Sequence, residues 1–202
     1  MDLKIIQYQD CIEENKKRIF EDWMIEWKED LLDTNAIKLR ASTEKTLNED
    51  VKIYALVENN SKQKLVGSIQ VFYKLSFIGS FYIVKEYRGK GYGTLLLNWV
   101  ENEVYKQGKK NANYDCPYTY LQCEKDLKQF YLDRNYHVLY VSKPDSLHNR
   151  LYPFVMLKEL QKPSRNLELR LKLLSSPAKK HKRTSSDNTY IYDLRKKRKI
   201  ST

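Results

Sequence analysis

The residues best placed to do chemistry fall in one stretch, Tyr82 to Leu96, where Gly89, Gly91 and Gly93 lie between the end of an apolar run and the start of a helical one. A turn of this kind gathers backbone N–H groups that have no partner. Glycine takes positive φ and lets a ligand approach without a Cβ in the way, and the helix start adds partial positive charge. The chemistry this supports is anion binding, with a pyrophosphate as the favoured ligand. The spacing G-x-G-x-G is not the G-x-G-x-x-G of a dinucleotide fold, and the flanking strands are not βαβ-like. The Gly-Lys-Ser/Thr of a P-loop is absent.

The elements that must position this turn are legible on both sides of it. Residues 3 to 8 read as a short strand. Cys11 to Leu32 reads as an amphipathic helix, with Ile12, Ile19, Trp23, Trp27 and Leu31 at helical spacing. Ala41 to Asp50 is polar with weak helical character. Lys52 to Glu58 and Lys64 to Lys74 form an expected hairpin around Asn59-Asn60-Ser61, and Ser76 to Val84 follows as a third strand. After the glycines, Leu96, Trp99, Val100 and Val104 mark a helix that Gly108 and the polar Lys109 to Asn113 stretch are expected to end. Tyr118 to Cys123 (strand), Glu124 to Asn135 (helix), Tyr136 to Ser142 (strand) and Leu151 to Leu160 (strand, with Pro153 at an edge or bulge) complete the order. The expected class is α/β (α+β), a mixed, mostly antiparallel sheet with helices on both faces.

Read as R-x-x-G-x-G, Arg88, Gly91 and Gly93 resemble the acetyl-CoA signature of the GNAT N-acetyltransferase superfamily. Phe130-Tyr131-Leu-Asp-Arg-Asn135-Tyr136 resembles that family's F-Y-x-x-x-G-F signature, and Phe154 to Glu159 resembles its closing strand. The resemblance covers roughly residues 3 to 160. It implies that acetyl-CoA is the co-substrate, with its pyrophosphate on the amides of Arg88, Gly89, Lys90, Gly91, Tyr92, Gly93 and Thr94. It also implies that Ile83 and Val84 hand backbone hydrogen bonds to the pantetheine, and that the thioester lies in a splay between the strands at Val84 and Leu121. An amine would attack the thioester directly, a backbone N–H near Val84 would stabilise the oxyanion, and Tyr131 would protonate the departing thiolate.

Three positions depart from the family pattern. Asn135 replaces a glycine, which a left-handed turn tolerates. Glu124 replaces an asparagine that contacts the cofactor, and Lys85 replaces a proline. Ile78 stands where some protein acetyltransferases carry a glutamate base. Glu86, Glu124 and Tyr73 are the remaining base candidates; His137 and His148 are more simply structural than relays. Distant similarity of Leu121 to Tyr131 and Trp23 to Arg40 to the actin N-terminal acetyltransferase branch favours a protein α-amine as acceptor. A lysine or a small amine is the alternative.

Composition bounds the rest. At 202 residues, 41% hydrophobic and 31% charged, the chain suits one domain plus an appendage. No apolar run is long enough to span a membrane, and the first ten residues lack a secretory pattern, so an intracellular protein is expected. Cys11, Cys116 and Cys123 are an odd set without C-x-x-C, which argues against a disulfide framework and a four-ligand zinc site. The net charge of +11 is lopsided. Residues 163–202 hold twelve Lys/Arg against three Asp/Glu and thus carry +9 of it. The expected division is therefore a catalytic domain over 1–162 and a basic, largely disordered tail over 163–202, where alternating Leu167, Leu169, Leu171 and Leu173 add an edge strand or a short helix. Lys179 to Arg183 and Arg195 to Lys199 form two basic clusters eleven residues apart, resembling a bipartite nuclear localisation signal. That pattern implies a nuclear import receptor as partner and a nuclear and cytoplasmic location. Phosphorylation of Ser175, Ser176, Ser185 or Ser186 would weaken its potential. Direct nucleic-acid binding through the tail, over a core kept only as scaffold, is the rival reading; the nearly balanced core argues against it.

Overall fold

Seven strands form one sheet: β1 (Leu3–Gln7), β2 (Val51–Glu58), β3 (Leu65–Phe72), β4 (Phe77–Ile83), β5 (Tyr118–Cys123), β6 (His137–Val141) and β7 (Phe154–Glu159). Their order is β1-β2-β3-β4-β5-β7-β6, and every neighbouring pair is antiparallel except β4 and β5. The computed structural model describes residues 2–26, 33–110, 117–144 and 147–175. Trp27, Leu31, Cys116, Ser176, Ser185, Ser186 and both basic clusters lie outside the described residues.

Helices cover both faces, as the pattern of the sequence leads one to expect. On one face lies α1 (Glu13–Glu26), whose Ile19, Phe20, Trp23 and Met24 are buried at helical spacing and whose Trp23 indole donates to the Ser68 hydroxyl on β3 at 2.9 Å. Against it packs α2 (Asp33–Thr46), longer than the weak helix expected over 41–50. Asn48 halts the chain after α2, its side-chain oxygen accepting from the backbone N–H groups of Asp50 and Val51 at 2.7 and 3.1 Å. On the other face lies α3 (Tyr92–Lys110), which buries Leu96, Leu97, Val100 and Val104.

Gly108 itself lies inside α3, whose last described residue, Lys110, falls in the polar stretch expected to end it. A Cβ at Gly108 would meet Pro117 Cβ at 2.8 Å, so this glycine serves a close approach of the incoming chain. The helix expected over 124–135 contracts to a 3₁₀ turn and α4 (Lys128–Leu132), closed by Asn135 at φ 63, the left-handed turn that asparagine tolerates. A short α5 (Leu147–Leu151) precedes β7, leaving Pro153 just ahead of the strand.

The alternating leucines after Pro163 form a helix, α6 (Arg165–Ser175), packed on β1. Leu167, Leu171 and Leu174 recur at positions i, i+4 and i+7, and Leu171 and Leu174 join the same buried core as Ile5 and Tyr8. The packed unit therefore extends past the boundary expected at residue 162. Charge drew that boundary, and a few buried leucines outweigh it, each contributing roughly 1.5–3 kcal/mol.

Candidate active site

Strands β4 and β5 pair only at Phe77–Tyr120 and Ile78–Leu121, although β4 runs on to Ile83 and β5 to Cys123. Ser76 pins the closed end of this pair: its carbonyl accepts from the Tyr120 N–H at 3.0 Å and from the Thr119 hydroxyl at 2.9 Å. Register against β3 slips between Ile69 and Val71, so β4 carries an extra residue there. Such a bulge increases local twist and turns the far half of β4 away from its neighbour. The result is an open seam of the kind the family resemblance implies, although Leu121 is itself still paired with Ile78 and the opening begins beyond it.

The open seam leads to the glycine turn. Gly89 and Gly91 have φ of 73 and 83, and a Cβ on either would meet nothing within 4 Å. Helix α3 begins at Tyr92, with Leu95 N–H donating to the Gly91 carbonyl as its first intrahelical bond. The amides of Tyr92, Gly93 and Thr94 thus lack an intrahelical acceptor, as at the start of any α-helix. A pyrophosphate fits this concave row of donors. Arg88 works mainly as a brace: its Nε donates to the Ile83 carbonyl at 2.8 Å and its guanidinium lies 5.0 Å from the Tyr82 ring centre. Lys90 folds back to the Glu86 carbonyl at 2.7 Å.

A cavity of about 510 Å³ joins turn and seam. Of the expected residues it brings together Ile83, Arg88, Gly89, Gly91, Gly93, Thr94 and Tyr131, but not Val84, Lys90, Tyr92 or Glu124. Val84 corrects an expectation. It is buried, and its N–H is engaged by the Val66 carbonyl at 3.0 Å. Antiparallel alternation then turns the N–H groups of Phe81 and Ile83 away from β3 and into the seam. The backbone donors left facing the seam are therefore those of Phe81 and Ile83.

The cavity also gathers Phe81, and Phe130 and Arg134 from the F-Y signature, to which the sequence assigned no site role. Arg134 donates through Nε to the Thr94 hydroxyl at 3.1 Å and stacks 3.6 Å from the Phe130 ring centre, bridging α4 to the start of α3 beside the cavity. It lies within the F-Y signature, where a cation three residues past Tyr131 was the available signal.

Tyr131 lines the cavity, held edge-on between Phe130 at 5.0 Å and Tyr136 at 5.5 Å. Burial pushes its phenol well above the usual tyrosine value, so it stays protonated at neutral pH. Burial also raises Cys123 to about 11 and Cys11 to about 12, leaving both thiols unsuited to carry an acetyl group.

Across the sheet from α3, Phe72, Phe77 and Tyr120 form a chain of rings at 5.7 and 5.0 Å, with Tyr118 and Tyr140 close enough to Tyr120 to raise its phenol further beyond the effect of burial. Neither seam strand, β4 or β5, contains an acidic residue or a histidine. The base candidates disperse. Tyr73 is bonded to the Tyr54 hydroxyl at 2.8 Å and burial raises it strongly, Glu86 is exposed, and Ile78 is core. His137 lines a separate cavity, and the His148 side chain lies outside the described residues.

Residues 10–140 match the model of the Acetyltransferase (GNAT) family. No curated protein matches the sequence. Among solved structures, the fold is similar to an aminoglycoside 6'-N-acetyltransferase complexed with coenzyme A (TM-score 0.59, 17% identity, covering 79% of this chain and 98% of that one). It is similar to Ard1 from Thermoplasma volcanium (TM-score 0.55, 11% identity, 80% and 100%). It is similar too to a spermidine N-acetyltransferase SpeG chimera from Vibrio cholerae and hSSAT (TM-score 0.56, 13% identity, 79% and 96%). At these identities the likeness is one of fold. With the family match spanning well over half of the chain, and with the glycine turn and open seam in place, the chain belongs to the GNAT acetyltransferase family and uses acetyl-CoA as its co-substrate.

Proposed function

We propose that this acetyltransferase transfers the acetyl group to a protein N-terminal α-amine, by direct attack with both substrates bound. The observation that carries this reading is the uncharged seam: Phe77, Tyr118 and Tyr120 stand on the face opposite α3, and neither β4 nor β5 offers a carboxylate or an imidazole. An acceptor there receives no help from these two strands in losing its proton. At pH 7.5 about a third of α-amines are neutral, against roughly 0.1% of lysine side chains. Polycationic small amines would also find no counter-charge on these strands.

In this reading acetyl-CoA supplies a thioester, and the chain positions and polarises it. The amides from Arg88 to Thr94 hold the pyrophosphate at the N-terminus of α3. The Phe81 and Ile83 amides stabilise charge developing on the thioester oxygen. Tyr131, protonated because it is buried, gives its proton to the departing thiolate as the C–S bond breaks, and the proton that the amine nitrogen sheds on becoming an amide restores the phenol. The two basic clusters of the tail serve nuclear import, giving a protein of both nucleus and cytoplasm; alanine replacement of both clusters in a fluorescent fusion would then abolish nuclear accumulation.

The acceptor is tested with paired peptides of one sequence, one with a free α-amine and acetylated lysines, the other with a blocked α-amine and free lysines. Acetylation of the first at least about 10-fold faster is expected from the proton argument. Equal or faster reaction of the second would overturn it in favour of lysine, and reaction of spermidine alone in favour of small amines.

A further inference from the structure

We infer that Glu101 is a positioning residue for Tyr131, acting through Tyr136; this rests on the acid role proposed above for Tyr131. Glu101 lies on α3, 8% exposed, where an amphipathic helix would ordinarily place an apolar residue. One of its oxygens accepts from the Tyr136 hydroxyl at 3.0 Å and the other pairs with Lys158 Nζ, from β7, at 2.7 Å. Lys158 also lies 5.4 Å from the centre of the Tyr136 ring, so that ring is gripped at its hydroxyl and across its face. Tyr136, 1% exposed, meets Tyr131 edge-on at 72°, and its backbone N–H donates to the Tyr131 carbonyl at 3.2 Å.

Tyr131 lines the cofactor cavity, whereas Glu101 and Lys158, which hold Tyr136, line a second, polar cavity of about 500 Å³ together with Asn98, Asn135 and His137. A buried ion pair is seldom the most stable filling for such a place, since apolar residues of similar volume do as well or better. What a fully bonded charge cluster does supply is a single position for the groups it holds. Here that group is the ring against which Tyr131 rests, and a misplacement of about 1 Å near reacting atoms lowers rates by up to about 100-fold.

The test is a double-mutant cycle on kcat for peptide acetylation, using Glu101→Gln, Tyr131→Phe and the double variant of the full chain, with acetyl-CoA Kd measured for each. Glu101→Gln is expected to lower kcat roughly 10-fold while leaving the acetyl-CoA Kd unchanged, and to have no further effect once Tyr131 is Phe. Tyr136→Phe, which keeps the ring and leaves Glu101 paired with Lys158, is the second variant should Glu101→Gln not fold; the same partial loss, again absent in the Tyr131→Phe background, is expected. Wild-type kcat in both Glu101→Gln and Tyr136→Phe, or losses that multiply with that of Tyr131→Phe, would overturn the inference alone. Wild-type kcat in Tyr131→Phe would remove the acid role and the inference together.

Discussion

The two sides of the open seam are built by different means. On the side proposed for the cofactor, the groups on offer are main-chain amides: those of the glycine turn, the first turn of α3, and the Phe81 and Ile83 N–H groups. On the side proposed for the acceptor the groups on offer are side chains, the rings of Phe72, Phe77, Tyr118, Tyr120 and Tyr140, contributed by four strands. Backbone donors recognise a phosphate or a thioester without regard to side-chain identity, whereas an aromatic surface changes with each substitution. One side can thus remain common to a family while the other selects the amine.

Three substitutions would break or sharpen that contrast. Gly91→Asp forces a side chain into φ 83 and adds a negative charge beside the phosphates, so acetyl-CoA binding by calorimetry should weaken more than about 100-fold with the fold retained. Tyr131→Phe should lower kcat about 100-fold with acetyl-CoA Kd unchanged, since only the proton donor is lost. Phe77→Ala should raise the peptide KM roughly 10-fold and leave the acetyl-CoA Kd alone; a weakened Kd there would mean that the two sides are not separate.

The smallest effect concerns Asp22, a carboxylate on α1 that burial raises from 3.8 to about 6. A raised folded-state value stabilises the protein fully below the unfolded value and loses that contribution as pH rises through the folded one. Asp22→Asn should therefore stabilise the protein at pH 7.5, by roughly 2 kcal/mol in urea unfolding, with the gain vanishing toward pH 4.

Much of the cofactor side was legible in the sequence because it is local. Three glycines, a strand before and a helix after occupy one short stretch, and the order of strands followed from alternation. The assignment of Val84 failed by one residue because strand parity is fixed by the partner: only the pairing of Val66 with Val84 reveals which amides face the seam. The acceptor side was illegible because Phe72, Phe77, Tyr120 and Tyr140 meet only when β3, β4, β5 and β6 are assembled. Glu101 was hidden as one charge in a mostly apolar stripe, its partners 35 and 57 residues away. Helix α6 was ambiguous because leucines at alternate positions satisfy a strand and, taken as Leu167, Leu171 and Leu174, a helix equally well.

The central claim, that the acetyl group crosses the seam in one step from acetyl-CoA to the amine, is tested most directly by initial velocities with acetyl-CoA and peptide both varied. Intersecting reciprocal plots are predicted, because both substrates must be bound at once and the buried Cys123 thiol stays protonated. Parallel plots, the mark of an acetylated enzyme released from coenzyme A before the amine arrives, would contradict it.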